Sequence, residues 1–156
     1  MLQIPLSLPQ GPCWELEDHK IDSTTFLKTI APTFSEATTA FFEGSSIILD
    51  VVNIFERHID PGPYLPKPQT IWSTGHIQQF RCHFTVELCE DLAGASQNHA
   101  EPELFDHLFL YAQLVPLLEW PDSFSNCMWI AASVSETRIR AFADQLGIHY
   151  KYVNGA

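Results

Sequence analysis

Imidazole and carboxylate side chains crowd together at His99, Glu101, Asp106 and His107, all within nine positions. These are ligand types that hold zinc or iron, but the spacing matches no established metal motif. A structural role accounts for them more simply. His99 falls at a helix end, where an imidazolium can pair with terminal carbonyls, and His107 falls on an apolar strand with alternating exposure. No metal and no cofactor is assigned.

A thiol nucleophile needs a base beside it in space, and Cys82 next to His83 is the nearest approach to one. Successive strand residues point to opposite faces, so the two cannot act together. The four cysteines, at positions 13, 82, 89 and 127, form no close metal-type pair and read as reduced thiols of a cytoplasmic protein. Cys82 and Cys89 lie on apolar faces, while Cys13 is expected nearer the surface. The carboxylate pairs Glu101 and Glu103, or Glu119 and Asp122, could serve acid–base chemistry, but chance suffices in a chain this acidic. Arg138 and Arg140 open a helix and are expected to pair with nearby acids. The seven glycines are scattered, with no phosphate loop, dinucleotide fingerprint, GxSxG elbow or HExxH helix.

The formal net charge is −11, which disfavours nucleic acid as a partner, since binding a polyphosphate requires a concentrated positive surface. No Lys or Arg occurs between Arg81 and Arg138, although that interval holds nine acids from Glu87 to Glu136. This base-free tract suits a protein-binding inhibitor of the immunity or antitoxin type, bacterial or phage in kind, that meets a basic toxin or nuclease through an acidic surface. The expected contact residues are Glu87, Glu90, Asp91, Glu101, Glu103, Asp106, Trp120 and Asp122, with Trp120 as a surface anchor. On this reading the chain is not an enzyme. The alternatives are a small enzyme or ligand-binding domain built around His83, His107 and Glu119, and a structural subunit of a larger assembly.

The elements that must position these residues give an α+β fold, a mostly antiparallel sheet covered by about four helices in one domain spanning 1–156. The sequence predicts an edge strand at Leu2–Leu8, a helix from Asp22 or Ser23 to Pro32, a strand at Ala37–Phe42, and a helix from Ser45 or Ser46 carrying Val51 and Phe55. A Pro-rich loop at 60–68, a short strand at Thr70–Trp72 and a turn at Thr74–Gly75 follow. A strand carrying Phe80, Cys82 and Phe84 leads to a helix capped by Thr85. Leu104–Ala112 and Leu114–Trp120 read as paired strands with both faces covered. Cys127–Ala132 adds a strand, Ser135 to Gly147 encloses the best-marked helix, and Ile148–Val153 closes the sheet. No run approaches a membrane span. Hydrophobic residues make up 46% of the chain, with eleven Phe, so it is expected to fold without metal or disulfide. Thermal melts with and without chelator, and with and without reductant, should therefore coincide; a drop of many degrees with either would overturn this.

Overall fold

The computed structural model describes residues 8–17, 20–62 and 77–155. Among these residues seven strands form one wholly antiparallel sheet: β1 (Pro12–Glu17), β2 (Thr39–Gly44), β3 (Gln78–His83), β4 (His107–Ala112), β5 (Val115–Trp120), β6 (Met128–Ala131) and β7 (His149–Asn154). Their order across the sheet is β3-β2-β4-β5-β6-β1-β7. Five helices accompany it among the described residues: α1 (Ser23–Thr33), α2 (Leu49–Arg57), α3 (Val86–Ser96), the single turn α4 (Glu101–Leu104) and α5 (Glu136–Leu146). The α+β class and the helix-covered antiparallel sheet are thus as the sequence indicates, with one short helix more.

Local chemistry sets the helix ends. The Asp22 carboxylate accepts from Thr25 N–H at 2.9 Å, the Thr85 hydroxyl from Leu88 N–H at 3.1 Å, and the Ser135 hydroxyl from Arg138 N–H at 3.4 Å. α5 stops at Gly147, whose φ of 70° is the left-handed conformation that glycine adopts without penalty. α2 starts later than the serines suggest, after Ile48, and has no side-chain cap.

One hydrophobic core joins the long helices to one face of the sheet. Phe26, Leu27 and Ile30 of α1, Val51 and Phe55 of α2, Leu88 and Leu92 of α3, and Ile139 and Phe142 of α5 pack with Phe42, Leu108, Leu110, Leu118 and Ile130 from the strands. The opposite face is also closed at its centre. His107, Phe109 and Tyr111 are as buried as Leu108 and Leu110 between them, so β4 is covered on both sides, and the expectation of alternating exposure at His107 is corrected.

Three further expectations change. β1 has no counterpart in the sequence reading, while residues 1–7 of the expected edge strand lie outside the described residues and Leu8 belongs to a 3-10 turn. Leu104 ends α4 and does not begin a strand. Cys13 is fully buried, because β1 lies between β6 and β7 and not at an edge. The strand and turn expected at 70–75, and residues 63–68 of the Pro-rich loop, lie outside the described residues. None of the helices among the described residues is long and apolar enough to cross a membrane.

Candidate functional site

β2 fixes the two ends of the sheet. Thr39 pairs with His83 and Tyr111 at one end, and Glu43 pairs with Gln79 and His107 at the other. The chain enters α3 from the His83 end, so Glu87 begins there, whereas Asp106 precedes β4 at the opposite end. An eleven-residue helix spans roughly 16 Å, about twice the Debye length in physiological salt. The base-free tract is therefore divided between two ends of the sheet and does not form one continuous acidic face.

At the Glu43 end a cleft of about 260 Å³ opens between α4 and the β5–β6 turn, lined by Glu101, Asp106, Asp122, Ser123, Phe105 and Phe124 among others. Hydrogen bonds tie this site to the sheet. Asp106 N–H donates to the Glu43 carbonyl at 2.8 Å, Ser123 N–H donates to the Asp106 carbonyl at 2.7 Å, and the Asp106 carboxylate accepts from Ser45 N–H at 3.0 Å. Asp122 N–H donates to His107 Nδ1 at 2.9 Å, so a neutral His107 carries its proton on Nε2. The Asp122 side chain remains 47% exposed.

The turn adopts conformations that side chains resist. Asp122 has φ 46° and Phe124 φ 69°. Aspartate tolerates this region, but phenylalanine pays roughly 1–2 kcal/mol. The Phe124 ring packs at an angle against Trp120 and Phe105 and edge-on to Phe26, at centroid distances of 4.7, 5.5 and 6.1 Å, which offsets that cost and adds an aromatic lining to the cleft.

The other expected contact residues separate from this group. Glu87 and Glu90 are exposed on α3. Asp91 is engaged by His58 Nε2 at 2.9 Å and Arg57 at 3.5 Å; the His58 hydrogen bond foremost, and then Arg57, hold its carboxyl below the usual range despite partial burial. A base thus reaches the tract from outside its sequence limits. Glu103 accepts from Ala100 N–H at 2.9 Å and caps its own helix turn. Trp120 is fully buried, its Nε1–H donating to the Asn126 carbonyl at 2.9 Å, so the expectation of a surface anchor there is corrected.

The alternative sites are not assembled. His107 and Glu119 lie on one sheet face, since Glu119 pairs with Phe109, but His83 sits at the other end and faces Asp60 at 3.9 Å. His99 stands between Asp50 and Glu103, at 3.8 and 3.9 Å, apart from the cleft acids. Cys82 is fully buried and His83 exposed, as opposite-face neighbours must be; burial pushes the Cys82 and Cys89 thiols up to about 12, which leaves no thiolate at neutral pH. Arg138 is spent on the Thr33 carbonyl and on Glu36 at 2.7 Å, and Arg140 on Glu136 at 3.6 Å. The sequence reading missed Phe105 and Phe124 as lining residues and the His107–Asp122 contact. Phe124 in a polar PDSFSN turn was the available signal. Comparison with protein-family models, curated proteins and solved structures finds no match, so these side chains and their geometry are what bear on function.

Proposed function

We propose that the chain is a protein-binding inhibitor of the immunity or antitoxin type, and that a basic side chain of its partner enters the cleft between α4 and the β5–β6 turn. The observation that carries this is a cleft lined by the carboxylates Glu101, Asp106 and Asp122 together with Phe105 and Phe124. Carboxylates attract a Lys or Arg head group, and aromatic faces hold the same cation. The volume of about 260 Å³ lies below the roughly 300–1,000 Å³ of small-molecule pockets, which favours one inserted side chain over a bound metabolite.

The partner can be isolated by affinity purification from the native cell and its binding followed by biosensor. At about 0.15 M salt, Glu101→Lys with Asp122→Asn should weaken binding by about tenfold or more, the loss expected for about 1.4 kcal/mol. Glu87→Lys with Glu90→Lys should change it less than about twofold, because that end is screened. Asparagine keeps the left-handed conformation at position 122. Equal affinity of the cleft variant and the wild type would refute the proposal.

A further inference from the structure

The two edges of the sheet differ. β3 is covered by the chain that leads into the Pro-rich loop: His83 N–H donates to the His58 carbonyl at 2.8 Å, Asp60 N–H donates to the Arg81 carbonyl at 2.8 Å, and Ile59 bridges Cys82. Beyond β7, no strand lies among the described residues. An edge strand carries a row of outward N–H and C=O groups, and an extended chain satisfies that row as no compact surface can. Lysine on an edge normally discourages such pairing. Here the Lys151 ammonium folds back onto the neighbouring β1, 3.4 Å from Glu15 and 3.5 Å from Glu17.

We propose that β7 pairs antiparallel with β7 of a second copy of this chain. A twofold axis at Lys151 sets Tyr150 opposite Tyr152 of the other copy. Both tyrosines flank Trp14, at 6.0 and 5.0 Å, and Tyr152 is 48% exposed, so two aromatic clusters merge on one face. On the other face the two lysines meet among four carboxylates, Glu15 and Glu17 from each copy, so the approach of like charges is compensated. The occupant is a second copy because the twofold sets Tyr150 against Tyr152 in both directions, so the aromatic face complements itself, while each Lys151 stays neutralised by its own β1.

A six-residue strand makes a small interface, so dissociation near 10⁻⁴ M, about 5.5 kcal/mol, is expected. The net charge of −11 opposes association, and salt should strengthen it. Sedimentation equilibrium from about 10 µM to 1 mM should show mass rising from monomer toward dimer. Hydrogen exchange of those His149–Val153 amides that point away from β1 should slow over the same range. Tyr152→Lys, which adds an edge charge, should weaken dimerisation by about tenfold. A monomer at every concentration, a dimer without added protection of these amides, or a Tyr152→Lys variant that dimerises as the wild type does would each overturn the proposal. Should that variant melt early, the concentration dependence of wild-type amide protection decides alone.

Discussion

Phe142→Ala is expected to cost about 3–5 kcal/mol of folding free energy and to lower the urea midpoint by at least about 1 M. The ring is fully buried on α5, at 5.3 Å in an edge contact with Phe34 and at 6.3 Å from Phe26. Alanine would remove its transfer energy and leave a void that its neighbours on α1 fill only in part, because Phe34 is itself fixed where α1 ends and Phe26 also packs on Trp120 at 4.6 Å. Gln145→Ala, on the exposed side of the same helix, is expected to stay within about 0.5 kcal/mol of the wild type. A loss below about 1 kcal/mol at Phe142 would mean that the core closes over the gap, and that α5 is not anchored as its contacts indicate.

α5 was legible because every local signal agrees: a serine cap, a hydrophobic stripe and a terminal glycine. α1 and α3 were legible from their Asp22 and Thr85 caps and apolar stripes, although neither ends at a glycine and α1 runs past Pro32 to Thr33. β1 was not, although Trp14 and Leu16 alternate with Glu15 and Glu17, because Pro9, Gly11 and Pro12 read as breakers and only two apolar residues share a phase. Trp120 was misplaced through its neighbours Pro121 and Asp122, which suggest an exposed strand end. Its true environment follows from the phase it shares with Leu118, and from partners almost a hundred residues away in α1. The division of the acidic tract could not be read from the sequence at all. It depends on which end of the sheet each segment meets, and Asp91 is paired by Arg57 and His58, both more than thirty residues away.

The covered edge of the sheet leads to a second large effect, at Asp60. Its Oδ1 accepts from Gly62 N–H at 2.8 Å and its Oδ2 from the Thr39 hydroxyl at 3.1 Å, while Arg81 Nε–H donates to its carbonyl at 3.1 Å. One residue thus fastens the strap that covers β3 to both β3 and β2. Asp60→Ala should cost about 2–3 kcal/mol at pH 7, since hydrogen bonds to a charged group contribute more than neutral ones. The effect should depend on pH in a definite direction. Burial by itself raises the Asp60 pKa, but the Gly62 and Thr39 hydrogen bonds, with His83 and Arg81 nearby, outweigh it and leave the group below its ordinary value. The unfolded chain therefore takes up this proton first as pH falls. The contribution is complete above the unfolded value near 3.9 and disappears as pH drops through the lower folded value. Urea titrations at pH 7, 5 and 3 should accordingly show the gap between wild type and Asp60→Ala unchanged from 7 to 5 and narrowing by 3. Asp60→Asn should recover only part of the loss, because its amide offers one acceptor oxygen to two donors. A gap that stays constant from pH 7 down to the acid limit of folding would show that the strap is held by its backbone bonds to β3 and not by the carboxylate.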